Sequence, residues 1–322
     1  MYTKTKLRRK QDPNKFEQIY AELENIYENN FADIAKKVNN RLKTVIFVMI
    51  IATILLLITL IQATTGSGTI DVRIPIIGIA LILLSPLIYT GRTPEEKNFV
   101  KDFKMTILDK LVKSFSKELT FHPVSDDKNS ILDCYKEIGF DISQSPYYSI
   151  VDDVIDGKMS NGNPIRISEL LLRKRSGDDT ITIFQGLFVE TDLAKNINSN
   201  ICVIDQHKAL VDTSNYTKLE LESSEFEKLF NVYTNNQIAA AQLLTSDTLT
   251  KLSKLREDYG MIFDFVIKNN KLYIRFEVGN MFESIQQKNR LDKEDTLVYY
   301  SIINYILLVV DEINKIVDES GI

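Results

Sequence analysis

An acidic run near the middle of the chain offers the densest group of metal-binding oxygens. Asp152, Asp153 and Asp156 all fall within the sequence DDVID. Carboxylate oxygens are the ligands that hard cations such as Ca²⁺ prefer in proteins. The run lacks the glycine turn and the closing glutamate of a calcium loop, so it is more typical of a solvated strand. The sequence therefore predicts no metal centre and leaves these three residues as candidate ion ligands.

Two histidines and two cysteines are the other side chains with ligand or nucleophile chemistry. They are His122, His207, Cys134 and Cys202. None of them has the spacing of a zinc site, and each cysteine is expected to be a small buried side chain in a reducing compartment. The chain also lacks the glycine-rich loops that hold nucleotide phosphates. We predict no catalytic residue and no cofactor.

Two phenylalanines flank a glycine in the sequence FQGLF at residues 184–188. Side chains alternate along a strand, so Phe184 and Phe188 lie on one face. Packing in a core is the default interpretation of such a pair. The alternative is a groove that binds a partner peptide, with these two rings as its contacts.

Two apolar runs predict a transmembrane hairpin at residues 44–90. Residues 44–63 carry no charge and are long enough, at about 1.5 Å per residue, to cross a hydrocarbon core of roughly 30 Å. Residues 74–90 form a shorter second span. Lys and Arg residues flank the hairpin at its two outer ends, whereas the connector has only Arg73. This bias predicts a protein of the cell membrane with both termini in the cytoplasm.

Amphipathic helices are predicted on both sides of the hairpin. Residues 1–43 combine a basic tail with a helix of about 27 residues that starts at Asp12-Pro13 and repeats apolar side chains every three or four positions. After the second span, Thr93 and Glu96 have the spacing of a capping box. Packing of the two helices as a stalk is favoured over adsorption of the first on the membrane surface, because its polar face is acidic.

Residues 91–322 are predicted to form one cytosolic α+β domain. Runs at 151–160, 164–175 and 180–191 predict a three-strand antiparallel meander. Further strands are predicted at 201–205, 219–222, 261–268 and 271–277, and helices at 223–229, 236–244, 246–259 and 293–319. Strands that follow strands favour a mostly antiparallel sheet with packed helices over a doubly wound fold. The apolar run at 297–310 is too short to span a membrane and is expected to be buried in this domain.

The charge of the chain divides between its two parts. Residues 1–90 contain 11 basic and 7 acidic side chains, which leaves 28 basic and 37 acidic, a net charge of −9, in residues 91–322. A domain of that charge is repelled by nucleic acid, despite the basic sequence Arg173-Lys174-Arg175. We therefore predict no nucleic-acid partner.

Three stretches of the domain resemble a bacterial membrane-protein family catalogued as domain of unknown function 3137. They are Gly157–Leu193, Phe226–Thr245 and the FVIKNNKLYI hairpin, Phe265–Ile274. The resemblance extends over residues 95–320 together with the paired apolar helices before them. It implies a bacterial inner-membrane protein and suggests a LemA-type membrane protein as a partner. It implies no activity and identifies no catalytic residue.

Taken together, the sequence favours a non-enzymatic interaction or scaffold module that is anchored in the lipid bilayer and faces the cytoplasm. The alternative is a membrane-tethered enzyme or a sensor of a small ligand or ion, with Glu169 joining the three aspartates in a site of dispersed residues. A channel or transporter subunit is a third hypothesis. It would require oligomers, because two spans without an ionisable residue offer no path across the membrane.

Overall fold

The computed structural model describes residues 12–65, 72–90, 93–139, 148–193, 195–206, 213–279, 281–282 and 291–320. The chain divides into two compact units. The hairpin unit lies within residues 22–103 and 285–292. The sheet unit lies within residues 1–21, 104–284 and 293–322. Each is described in turn.

Four helices account for the first hundred residues. They are α1 (Pro13–Asn30), α2 (Ala32–Thr65), α3 (Arg73–Thr90) and α4 (Pro94–Phe103). The Phe31 N–H donates to the Tyr27 carbonyl and the Ala35 N–H to the Phe31 carbonyl, both at 2.8 Å, so helical bonding continues across the break between α1 and α2. The amphipathic segment and the first apolar run are thus joined in one nearly continuous helix.

Two helices in the described part of the chain are long and apolar enough to cross a membrane. They are α2, of whose most apolar window only 6% is buried, and the C-terminal helix α10 (Lys293–Glu319), with 67% buried. The burial of α10 is typical of a core helix in a soluble domain, and it confirms the prediction for residues 297–310. The second apolar run forms α3, whose described apolar part, Arg73–Leu87, is shorter.

Small residues bring α2 and α3 close together. A Cβ atom added to Gly78 would lie 3.3 Å from the carbonyl oxygen of Ala52 and 3.2 Å from Cγ of Leu56. Ala52 is fully buried, and the Ser85 hydroxyl lies 3.3 Å from the sulfur of Met49. Close approach through small residues is the usual mode of helix packing in membranes. The two apolar runs therefore form antiparallel neighbours, as the short connector predicts.

The capping box and the packing of helices beside the hairpin are also confirmed. The Thr93 N–H donates to Glu96 Oε2 at 2.9 Å, and the Glu96 N–H donates to Thr93 Oγ1 at 3.2 Å. Glu96 also pairs with Arg41 at 3.1 Å. Within the hairpin unit, the ring of Phe31 lies 6.1 Å from that of Phe99 and 5.8 Å from that of Phe103, both on α4. The aromatic stripe on the end of α1 is thus buried against protein.

The sheet unit contains one nine-stranded sheet in which every neighbouring pair is antiparallel. Its order is β1-β2-β3-β4-β9-β8-β5-β7-β6. The strands are β1 (Thr120–Val124), β2 (Tyr148–Lys158), β3 (Pro164–Ser176), β4 (Asp179–Asp192), β5 (Ile201–Asp205), β6 (Thr217–Leu219), β7 (Phe230–Thr234), β8 (Phe263–Lys268) and β9 (Lys271–Phe276). The predicted α+β fold with a mostly antiparallel sheet is confirmed.

Helices pack on both faces of this sheet. Before α10 they are a π-helical turn (Lys104–Leu108), α5 (Asp109–Lys113), α6 (Lys128–Glu137), α7 (Ser224–Glu227), α8 (Gln237–Leu243) and α9 (Ser246–Tyr259). On one face, the Tyr135 ring of α6 lies 5.3 Å from Phe188 of β4. On the opposite face, the Tyr305 ring of α10 lies 5.9 Å from Phe276 of β9. The sheet is therefore the middle layer of the unit.

Most elements follow the sequence pattern, and the exceptions have local reasons. The predicted meander is β2, β3 and β4, and the later hairpin is β8 and β9, with a turn in which Asn269 and Asn270 both have positive φ. The predicted strand at 219–222 is wrong, because β6 ends at Leu219. β1 and β7 were not predicted. β1 contains Pro123, which disfavours a strand, and the structure places it at the sheet edge, where proline is tolerated.

Gly186 of β4 lies where the next strand joins the sheet. A Cβ atom at this position would be 2.0 Å from the backbone carbonyl oxygen of Phe276, so the backbone of β9 would have to shift. We expect Gly186→Ala to lower the free energy of unfolding by about 2 kcal/mol, the typical cost of overpacking a core. The measurement is urea unfolding of the full chain in mild detergent, followed by circular dichroism because the chain has no tryptophan.

Gly177→Ala is the control. Gly177 has positive φ (63°), and its added Cβ would meet open space, so the cost is only that of the left-handed backbone, about 1 kcal/mol. An equal or smaller loss for Gly186→Ala than for Gly177→Ala would contradict the steric argument.

Candidate functional site

A β-bulge in strand β2 turns Asp153 into the protein. The β2–β3 register passes from Asp152 opposite Glu169 to Val154 opposite Ser168, and so skips Asp153. The φ angle of Asp153 is +49°, uncommon for a residue other than glycine. Its side chain is only 1% exposed. Bulges re-aim side chains in this way and occur frequently beside functional sites.

The bulge gathers three carboxylates. One oxygen each of Asp152, Asp153 and Glu169 lies within 4.8 Å of the others. From the π-helical turn, Lys104 Nζ pairs with Asp153 Oδ2 at 2.5 Å, and both side chains are almost fully buried. We call these four side chains the acidic cluster. A π-helical turn is itself rare and is often found at functional sites.

Glu169 is the most perturbed member of the acidic cluster. Its Oε1 accepts a 2.6 Å hydrogen bond from the Met281 N–H, whereas its Oε2 is buried with no hydrogen-bond partner among the described residues. Burial, the largest cause, and the charges of Asp153 and Asp152 together raise the pKa of Glu169 to about 8, against the lowering effect of the backbone hydrogen bonds from Met281 and Phe282. Glu169 is therefore mostly protonated at neutral pH.

The structure separates Asp156 from the acidic cluster. Asp156 lies opposite Arg166 of β3, and its Oδ1 is 3.1 Å from Nε2 of His122 on the neighbouring strand β1. Both of these side chains are about half exposed. Of the predicted ion ligands, Asp152 and Asp153 thus come together with Glu169, while Asp156 belongs to a surface pair.

The two cysteines have the surroundings of packing residues. Cys202 is fully buried in β5, and Cys134 is partly buried on α6. Burial raises the pKa of the Cys134 thiol to about 11 and that of Cys202 to about 12. Both therefore remain protonated at neutral pH, and a protonated thiol is a poor nucleophile. His207 lies outside the described residues.

Phe184 and Phe188 lie in the core beneath α6. They are 3% and 2% exposed, and both rings contact Tyr135. The guanidinium of Arg275 also lies 5.7 Å from the centre of the Phe184 ring. These contacts show that both rings are packed in the core. Their use in binding a partner peptide stays a prediction, and it would require movement of α6.

Sequence reasoning missed a second group of buried charges, which begins at Tyr135 of the same helix. Arg275 donates to Asp264 and, at 3.2 Å, to the hydroxyl of Tyr135. Asp264 also accepts from the Asp205 N–H at 2.7 Å, and Asp205 pairs with Arg256 at 2.8 Å. Each carboxylate here has a cationic partner, as buried charges require. Because these residues are far apart in the chain, only their strand pairing identifies them as a group.

Part of the sheet unit is similar to a known protein family. Residues 182–315 match the model of a family described as protein of unknown function (DUF3137), which confirms the resemblance. No curated protein matches the chain. The crystal structure of the mycobacterial trehalose monomycolate transport factor A, TtfA, is similar over 60% of this chain and 93% of its own, with 12% identity and a TM-score of 0.37. We draw no conclusion from a likeness at these values.

The shifted pKa of Glu169 makes stability depend on pH. Between the ordinary value of 4.5 and about 8, the folded chain holds a proton on Glu169 that the unfolded chain has lost. The stabilisation is complete below the lower value and is lost as pH rises to the upper one, at about 1.4 kcal/mol per pH unit. We expect Glu169→Gln to remove this slope, so that the variant gains stability over the natural chain as pH rises from 5 to 8.

Urea unfolding of both proteins in detergent at each pH measures this difference. Asp156→Asn is the control, because Asp156 is half exposed and lies outside the acidic cluster, so its replacement should give no such trend. Parallel pH profiles for the natural chain and Glu169→Gln would show that Glu169 is ionised in the folded protein, contrary to this prediction.

Proposed function

We propose that this protein is anchored in the cell membrane by α2 and α3, and that its sheet unit acts in the cytoplasm as an interaction or scaffold module for another protein. The observation that carries the proposal is the exposed apolar surface of the hairpin. Most exposed large apolar side chains of the described residues lie between positions 42 and 87, among them Phe47, Leu60, Ile76, Leu83 and Leu87.

A contiguous apolar surface of this kind is not stable in water. Soluble proteins rarely expose large apolar patches, and those that exist mark contacts with lipid or protein. The mean hydropathy of the best window in α2 is 3.1, and Leu83 on α3 is 70% exposed. Burial in hydrocarbon satisfies both helices, because their backbone hydrogen bonds are internal.

The distribution of basic residues supports a cytoplasmic sheet unit. Lys36, Lys37, Arg41 and Lys43 precede the apolar part of α2, and Lys97 and Lys101 follow α3 on α4. Basic residues near the ends of membrane spans remain on the cytoplasmic side. The connector at 64–73 then lies outside.

A cysteine in the connector tests this topology. We expect Ser67→Cys to react with a membrane-impermeant maleimide on intact cells, because the connector would be external. Asn14→Cys, at the exposed start of α1, is the matched control and should react only after the cells are opened. The natural chain, with its two buried or partly buried thiols, provides the background signal. Protection of Ser67→Cys in intact cells would reverse the topology.

A role in binding rather than catalysis is supported by the state of the reactive groups. Both thiols are protonated at neutral pH, and His122 is engaged with Asp156 at the surface. The partner implied by the family resemblance is a LemA-type membrane protein, and we include it in the proposal as the first candidate.

Photo-crosslinking in cells tests the partner. A photoreactive amino acid at Ile181 of β4 or Ile238 of α8 should form an adduct with one protein, because these side chains are 42% and 76% exposed on the sheet unit. Ile76, 61% exposed on α3, is the matched control, since in the bilayer it should contact lipid. The same adduct partner should co-purify with the tagged chain in mild detergent.

The interaction module would be refuted by a chain that purifies alone and forms no adduct at any exposed position of the sheet unit. If Ser67→Cys were still labelled on intact cells, the proposed membrane anchor would remain supported. The two parts of the proposal are thus tested separately.

A further inference from the structure

We propose that Asp152, Asp153 and Glu169 bind a divalent cation of the size of calcium. The inference goes beyond the interaction module and does not depend on it. It rests on three features of the acidic cluster: the spacing of its oxygens, one unpartnered buried oxygen, and its charge.

The spacing of the oxygens suits a single ion. One oxygen from each carboxylate lies within 4.8 Å of the other two. This separation allows all three oxygens to reach one ion. Calcium accepts carboxylate oxygens in a flexible, irregular geometry, whereas magnesium demands a regular octahedron and gives up its water reluctantly. Calcium therefore suits three carboxylates that two strands hold in place.

Glu169 supplies the second, independent observation. The residue is only 6% exposed, and its Oε2 has no hydrogen-bond partner among the described residues. An unsatisfied carboxylate oxygen costs free energy when it is buried, and a bound cation would supply its missing partner. This oxygen belongs to the side chain that lies beside the other two carboxylates. Asp152 is only half-buried, so the cluster is open to solvent at this side chain.

The charges of the cluster favour a cation. Once Glu169 has lost its proton, the three carboxylates and the ammonium of Lys104 sum to −2, which one divalent ion would balance. Lys104 contacts Oδ2 of Asp153, so its ammonium competes with the ion for that oxygen.

Isothermal titration calorimetry of the full chain with CaCl₂, after treatment with a chelator and in a non-ionic detergent, tests the site. We expect saturable binding of one calcium ion per chain at pH 8.5. MgCl₂ and MnCl₂ are the comparison ions, and calcium should bind most tightly.

Three variants locate the site. Glu169→Gln should weaken calcium binding at least tenfold, whereas Asp156→Asn, which changes an acidic residue of the same run outside the cluster, should leave binding as in the natural chain. Lys104→Met should bind calcium more tightly, because the competing ammonium is gone. Added calcium should then raise the thermal midpoint of that variant more than that of the natural chain.

The proposal is overturned by the absence of calcium binding at pH 8.5, or by equal effects of Glu169→Gln and Asp156→Asn. Circular dichroism of each variant checks that it is folded. If Glu169→Gln fails to fold, Asp152→Asn replaces it, since Asp152 is half-buried and tolerates the change more readily.

Discussion

The coverage of the nine-stranded sheet on both faces is the constraint on which the rest of the sheet unit depends. Helix α6 buries one face and α10 the other, so any charge that enters either layer loses its water. The buried charges of Arg275 and Asp264 are therefore paired with each other, and burial keeps the thiols of Cys134 and Cys202 protonated. Desolvation thus determines the protonation and pairing of the polar groups in this unit.

In the acidic cluster, the pairing of buried polar groups is incomplete. Lys104 compensates Asp153, but Glu169 retains a buried oxygen without a hydrogen bond, and burial keeps it protonated at neutral pH. The backbone of Asp153, with its positive φ, places the carboxylate of this residue in the cluster. Strain and an unsatisfied polar atom persist only where surrounding structure enforces them, and they are frequent at functional sites. In the network around Arg275, by contrast, Asp264 and Asp205 each pair with an arginine, and this pairing distinguishes a structural ion pair from a candidate site.

The hairpin unit follows the opposite rule, because its apolar side chains face outward. Where the sheet unit buries large side chains such as Phe276 and Tyr305, α2 buries little more than Ala52 among its apolar residues. The same hydrophobic effect explains both units if the solvent of the hairpin is lipid. Anchor and sheet unit then have separate tasks, attachment and recognition, and that separation underlies the proposed function.

The sequence by itself determined the features that depend on neighbouring residues. The apolar run of α2, the capping box of Thr93 and Glu96, and the turn at Asn269 and Asn270 were all predicted, because each signal lies within a few positions. Only the tertiary structure decided which acidic residues meet. Asp156 was grouped with Asp152 and Asp153 by sequence, yet the bulge turns Asp153 away from it and towards Glu169 and Lys104, and Lys104 is 49 positions distant. The pKa of Glu169 depends on the segment at Met281 that covers it, and sequence patterns do not encode such long-range burial.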